Sequence, residues 1–385
     1  MKKILCLLLS VFFLFQSTPL SASEIEPDIE TTSAILIEAE TGQIIYEKNS
    51  KEVLRPASIT KIMTLLLIFD ALSTGKISMS DSVTVSAHAA SMGGSQVFLE
   101  EGEVQTVETM IKCIAIASAN DACVAMAEYI SGSEEAFVAE MNRRAKSLSM
   151  NDTHFVNSCG LDAEGHVTTA RDVSLMSREL INLYPAIHDI STIWMDTITH
   201  VTKKGEKDFV LNNTNKLLKQ YEWATGLKTG STSLAGFCLA SSAEKNGLRL
   251  IAVVMGAPSS KIRISDSINL LNYGYSVCDL YKMDDMPPLP EIKLKGSINN
   301  KIKCHYQSDF SHLFTSAYDK TGITYTHEYL PDIKAPINKG DVLGQITFYY
   351  NSSPIGSIDI LASESADKSG FKDYFALIAD NVFSS

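Results

Sequence analysis

Little in this chain of 385 residues favours a metal, a disulfide framework or a nucleic acid. Cysteine occurs seven times without a Cys-x-x-Cys pair, which excludes zinc-ribbon and thioredoxin-type arrangements. Export would permit disulfides, yet so low a cysteine density in a long chain does not require them. Cys113, Cys123, Cys159, Cys238, Cys278 and Cys304 stand in apolar or mixed segments and read as small buried side chains. The eight histidines, His88, His154, His166, His188, His200, His305, His312 and His327, show no ligand spacing, so no metal and no other cofactor is implied. Basic residues number 33 against 45 acidic ones, and the net charge of -12 makes nucleic acid a poor partner. Long apolar runs are also missing: the stretch Ile4 to Phe15 is too short to span a bilayer comfortably.

That stretch follows Lys2 and Lys3 and leads to small residues ending at Ala22 or Ser23, the three zones of a secretory signal. Residues 1–23 are expected to leave and to give an exported protein that acts outside the cytoplasm, with an uncleaved anchor as a minor alternative. Loss of Lys2 and Lys3 takes the net charge from -12 to -14.

What is present is a trio of short clusters in one order: Ser58-Ile59-Thr60-Lys61, Ser118-Ala119-Asn120 and Lys228-Thr229-Gly230. Each is weak alone. Ser and Lys recur three apart at Ser73/Lys76, Ser242/Lys245, Ser365/Lys368 and Ser369/Lys372. Lys-Thr-Gly recurs at Lys320-Thr321-Gly322, past a linker and without chemical partners, where it reads as a solvated turn. Context separates the copies. Only Ser58/Lys61 opens a strongly apolar helix, predicted from Ala57 to Leu72, and three-residue spacing puts the Lys61 amine over the Ser58 hydroxyl. A serine needs such a neighbouring base to become a nucleophile, and lysine serves when burial or nearby positive charge, here Lys228, lowers its pKa. Ser118 can relay a proton, Asn120 can hold a substrate amide, and Lys228 with Thr229 offers a cation and a hydroxyl to a carboxylate. Gly230 would let substrate backbone approach a strand edge.

The pattern predicts a hairpin over Ala34–Tyr46 with its turn at Glu40–Gln43 and helices over Thr109–Ala117, Asp121–Ile130, Glu134–Leu148 and Thr169–Leu183. Strands follow at Phe237–Ser241 and Leu248–Met255, then a closing helix over Ser265–Tyr281. Strands at both ends of the domain with helices between them give an α+β layer design for residues 24–282. Met283-Asp284-Asp285-Met286-Pro287-Pro288-Leu289-Pro290 resists helix and ladder alike and reads as a linker, 283–290. Alternating segments beyond it predict a small all-β domain, 291–365. Residues 366–385 form an amphipathic segment that fits either a membrane surface or packing onto the β domain or a partner. The run Glu100-Glu101-Gly102-Glu103 reads as a solvated turn.

The trio resembles that of the serine penicillin-recognising enzymes. More narrowly, the chain resembles the low-molecular-mass penicillin-binding proteins that are D-alanyl-D-alanine carboxypeptidases. Further matching text is Arg55-Pro56-Ala57, Asp121-Ala122, Asn157-Ser158-Cys159-Gly160-Leu161-Asp162, Thr169-Ala170-Arg171-Asp172, Gly226-Leu227, Ser231-Thr232 and Ala235-Gly236-Phe237. The resemblance covers residues 30 to 280 strongly and the remainder loosely. It implies a β-lactamase/transpeptidase-like catalytic domain with an antiparallel sheet and helices, peptidoglycan stem peptides as substrates, and β-lactams as covalent inhibitors. It further implies Ser58 as nucleophile, Lys61 as general base, Ser118 and Asn120 as relay and positioning pair, and Lys228 with Thr229 as carboxylate site. The backbone N–H groups of Ser58 and Ser231 would form the oxyanion hole. Arg263 matches a family arginine near the carboxylate, although Ala257-Pro258-Ser259-Ser260 departs from the usual glycine-rich loop. A β-lactamase would need a Glu-x-x-Leu-Asn element, which is absent here. A D,D-endopeptidase would share the trio, and an idle wall-binding protein would be expected to have lost part of it.

Overall fold

A computed structural model describes residues 26–375 apart from 204, 284, 317 and 374, so the expected signal segment lies outside the described residues. In chain order the first region contains β1 (Ser33–Glu38), β2 (Ile44–Lys48), α1 (Lys61–Ser73), β3 (Ser82–Thr84), α2 (Ala87–Ala90), β4 (Val104–Thr106) and α3 (Val107–Ala115). Then come α4 (Asn120–Ser131), α5 (Glu134–Ser147), α6 (Ala170–Leu183), α7 (Ile187–Ser191), β5 (Met195–Thr202) and β6 (Gly205–Asn212). It closes with β7 (Ala224–Thr232), β8 (Gly236–Lys245), β9 (Leu248–Ala257) and α8 (Ser260–Val277).

Five of these strands form an antiparallel sheet in the order β2-β1-β9-β8-β7, so the two ends of the region meet at β1 and β9. Every residue of β1 is buried because both faces are covered, which explains its unbroken apolar text. Ile35, Ile37, Ile251 and Val253 pack with Ile62, Met110 and Met126 of the helical layer. Ala34, Leu36, Leu250 and Val254 pack on Ile264, Leu270 and Leu271 of α8. The result is helix, sheet and helix in three layers. Helix α1 runs through the helical layer, with Leu65, Leu66 and Ile68 all buried.

The small all-β region begins with β10 (Asp279–Lys282), before the expected linker, because β10 pairs with the later strand Ser311–Phe314. Residue 283 and residues 285–290 carry no regular element. Four strands, Cys304–Tyr306, Ile323–Tyr329, Val342–Tyr350 and Ser353–Ala362, form its main antiparallel sheet. Glu40, in the turn between β1 and β2, accepts a hydrogen bond from Ser311 Oγ at 2.8 Å and so joins the two regions.

Two expectations, the bounds of the closing helix and the solvation of Glu103, need revision. The closing helix starts at Ser260, because the Ser259 hydroxyl caps it by accepting from Ile262 N, and it stops at Val277, where Cys278 turns extended. The hairpin of β5 and β6 went unforeseen. Glu103 is no solvated residue: its carboxylate is buried and bonds His200 Nδ1 at 2.8 Å. Of the amphipathic segment 366–385, residues 371–373 and 375 are helical and 376–385 lie outside the described residues. The second Lys-Thr-Gly does form a short exposed 3-10 turn, and the six cysteines are free, four of them buried.

Gly160 fixes how the 157–162 loop meets the turn before α1. Its φ of +89° suits glycine, and a Cβ there would stand 1.9 Å from Ala57 O. Gly160→Ala is therefore expected to cost at least about 2 kcal/mol through backbone displacement. Urea unfolding measures this, and an unchanged midpoint would contradict the close approach.

Candidate active site

Ser58 lies on a single 3-10 turn, Ala57–Thr60, entered by Pro56 and continued directly by α1. The turn places the Ser58 hydroxyl at the helix entry, half-buried, beside the fully buried Lys61. Lys61 Nζ donates to Ser58 Oγ at 3.0 Å, to Asn120 Oδ1 at 2.6 Å and to Cys159 O at 2.6 Å. Three oxygens thus satisfy the three donor positions of a fully buried amine. Asn120 begins α4, and its Nδ2 donates to Gly93 O at 2.7 Å, which fixes the amide orientation. Ser118, two residues earlier, is buried with φ at +63°, the break between α3 and α4 that the sequence suggested.

On the other side runs β7, one of the two edge strands of the sheet. A Cβ on Gly230 would stand 3.0 Å from Ser58 N, Ile59 N and Pro56 O. The turn carrying Ser58 makes this close approach, and Gly230 admits it. Lys228 is buried, and Nζ donates to Thr229 O at 3.1 Å. Burial, then the positive charges of Lys61 and Arg263, hold its pKa well below the usual lysine value. Thr229 shares a hydrogen bond with Thr214 across 2.7 Å. Ser231 is exposed and lines a cavity of 610 Å³ at the end of β7, together with Thr232, Phe237 and Pro258.

Arg263 is placed differently from the rest. It is buried, with Nη1 donating to Gly230 O at 3.2 Å and Cys238 O at 3.3 Å, so its guanidinium braces the β7–β8 pair.

Several supporting residues escaped the sequence reading. Asn157 Oδ1 accepts from Gly160 N at 2.7 Å and Leu161 N at 3.1 Å, stiffening the loop that offers Cys159 O to Lys61. Thr232 Oγ1 donates to Asp162 Oδ1 at 3.0 Å, tying that loop to the end of β7. His166 Nδ1 accepts from Val156 N, so Nε2 carries the proton and donates to Thr60 Oγ1, which in turn donates to Ala57 O. Burial pushes the His166 pKa down to about 4, keeping this neutral relay under the Ser58 turn. Asp121 is buried and accepts from Val97 N and Leu99 N, which pins the 93–99 segment against Asn120. Among the described residues no cluster of His, Cys, Asp or Glu could hold a metal ion.

A serine hydrogen-bonded to a buried lysine, with a second lysine on an adjoining strand edge, defines an acyl-transfer enzyme that works without histidine. Comparison with known proteins sharpens the class. Residues 20–259 match the family D-alanyl-D-alanine carboxypeptidase, and residues 279–368 match the C-terminal domain of penicillin-binding protein 5. The D-alanyl-D-alanine carboxypeptidase DacF of Bacillus subtilis is 43% identical over 345 residues, covering 89% of this chain and 87% of that relative. An Escherichia coli D-alanyl-D-alanine endopeptidase is 30% identical over 275 residues, 69% of this chain and 85% of its own. The crystal structure of penicillin binding protein 5 from Haemophilus influenzae superposes with a TM-score of 0.75 at 28% identity, over 89% of this chain and 99% of that one. The chain belongs to the D-alanyl-D-alanine carboxypeptidase family of serine peptidases.

The buried Lys228 charge has a cost that depends on pH. With its folded pKa below the unfolded value, the unfolded state binds more protons between the two, so stability rises with pH across that window. Lys228→Met is expected to unfold at a higher temperature than the parent at neutral pH, with the gain shrinking as pH climbs toward 10.5. Calorimetry against pH checks this, and a less stable Met variant at neutral pH would contradict it.

Proposed function

We propose that Ser58 is the nucleophile of this D-Ala-D-Ala carboxypeptidase and Lys61 the base that activates it. The observation that carries the assignment is the 3.0 Å hydrogen bond from Lys61 Nζ to Ser58 Oγ, with Asn120 Oδ1 and Cys159 O fixing the same amine from the buried side. The Lys61 amine takes the hydroxyl proton while Ser58 Oγ attacks the carbonyl of the penultimate D-Ala in a stem pentapeptide. Ser58 N and Ser231 N receive the developing oxyanion; the contact of Gly230 with Ser58 N supports the pairing. Ser118, beside Asn120, relays the proton to the leaving amine as the terminal D-Ala departs. Water then hydrolyses the ester and restores Ser58. Asn120 holds the scissile amide, and Lys228 with Thr229 holds the terminal carboxylate. Arg263 acts through Gly230, as a positioning residue. β-Lactams acylate the same hydroxyl.

Mass spectrometry of stem pentapeptides and cross-linked dimers tests the assignment. The parent is expected to release D-Ala from the pentapeptide, and Ser58→Ala is expected to lose both this release and labelling by a fluorescent penicillin. Labelling that survives would move the nucleophile elsewhere.

We further infer that residues 1–23 direct export and that the protein works outside the cytoplasm, held at the membrane by its C-terminal segment. Phe371 and Phe375 support this: they are 85% and 63% exposed and stack one helical turn apart, an apolar face turned to solvent. Among the described residues no helix is long and apolar enough to cross a membrane. Deletion of residues 370–385 is expected to shift the protein from the membrane to the soluble fraction, and equal distribution of both forms on sedimentation would remove the anchor.

A further inference from the structure

Ala57, the residue just before Ser58, has φ at +47°, a conformation that residues with a side chain rarely adopt. Strain of this kind persists only where neighbours hold it. Here the neighbours form a line. Thr60 Oγ1 donates to Ala57 O at 2.8 Å, and because its single proton is spent there it accepts from His166 Nε2, also at 2.8 Å. His166 Nδ1 in turn accepts from Val156 N at 3.0 Å. Thr60 and His166 are both buried, so water does not compete for these bonds. Gly160 closes the line from the side: a Cβ there would overlap Ala57 O and stand 2.9 Å from Thr60 Oγ1.

The carbonyl at the end of this line has a particular partner across its own peptide bond. Ala57 C=O and Ser58 N–H belong to one planar unit in which the two bonds point in opposite directions, so whatever fixes the carbonyl also fixes the N–H. Ser58 N–H is one of the two donors assigned above to the oxyanion. Such donors act by being aimed before the charge forms, and a rotated one forfeits part of its effect.

We propose that His166, acting through Thr60, is a positioning residue that aims the Ser58 N–H of the oxyanion hole. The proposal rests on the assignment of Ser58 as nucleophile and adds the side chains that set its backbone. When Ser58 Oγ bonds to the scissile carbonyl carbon, the carbonyl π pair moves onto its oxygen, and a misdirected Ser58 N–H fails to receive it. Neutral imidazole suits the task, because one ring nitrogen accepts from Val156 N while the other donates to Thr60. The imidazolium would set Nδ1–H against Val156 N–H. Burial and then His154 oppose that charged form, Asp162 favours it, and Arg55 opposes it again.

The test uses the full chain and four variants. Thr60→Val loses the hydroxyl at nearly constant volume, His166→Leu loses both ring nitrogens, a third variant combines the two, and His166→Gln restores an acceptor and a donor on one planar group. Each single loss is expected to lower kcat for D-Ala release about tenfold with KM unchanged, part of the roughly 100- to 1,000-fold cost of removing a whole oxyanion donor. The double variant is expected to fall no further than either single one, since both act on one carbonyl, and His166→Gln to recover most of the loss. The direct readout is the infrared band of the ester carbonyl after acylation by a penicillin labelled with 13C at its lactam carbonyl. Hydrogen bonds to that oxygen lower its frequency. The band is therefore expected to sit higher in Thr60→Val and His166→Leu than in the parent, and to return in His166→Gln. An unmoved band, or losses that add in the double variant, would overturn the positioning role even where the variants unfold more readily. A band that persists in Ser58→Ala is a separate result: it would place the ester on another residue and remove the nucleophile assignment, and this inference with it.

Discussion

The Lys61 amine is the constraint around which this enzyme is arranged. It is fully buried, and its three oxygen partners come from three different parts of the chain: the turn before α1, the start of α4 and the loop after α5. A buried amine with a missing partner costs more than an ordinary lost contact, because nothing else solvates it. The three segments must therefore arrive together. Their supports follow from that requirement: Gly93 O orients Asn120, Asn157 stiffens the loop behind Cys159, and His166 with Thr60 holds Ala57.

Much of this was legible in the text because its chemistry is local. Ser58 and Lys61 share a helical face by spacing alone, and the break at Ser118-Ala119-Asn120 interrupts a helical pattern that is otherwise plain. The sheet was legible too, since β1, β8 and β9 are apolar runs bounded by turn residues. What escaped depends on partners distant in sequence. The carbonyl of Cys159 is backbone, so no side-chain pattern announces it. Glu103 sits in an acidic run that looks solvated, and only the hairpin arriving from residue 200 buries it. That hairpin was missed because its alternation is mostly exposed and its turn is charged. The close approach at Gly230 is legible as a need for glycine, and its structural neighbour, the turn carrying Ser58, lies 172 positions earlier in the text. The resemblance implies Arg263 near the carboxylate, and its contacts are distant in sequence as well: Nη1 reaches the backbone carbonyls of Gly230 and Cys238 in β7 and β8.

Two lysines in one buried site are a poor way to build a stable core. Burial and mutual repulsion both oppose the charged form of Lys228, and Arg263 adds a third positive group. An apolar side chain of similar volume at position 228 would relieve this at no cost to the fold. Its retention therefore argues for a demand that stability does not make. The carboxylate role proposed for Lys228 would meet that demand: an anion bound beside it would offset the repulsion, and part of the cost of burying the amine would return as selectivity for a terminal acid. On this view the hydrophobic layers between α1 and the sheet do more than hold the chain together. They supply the surplus stability that lets two amines stay buried in one region of the fold, and the close approach of Gly230 to Ser58 N joins the strand carrying one to the turn carrying the other.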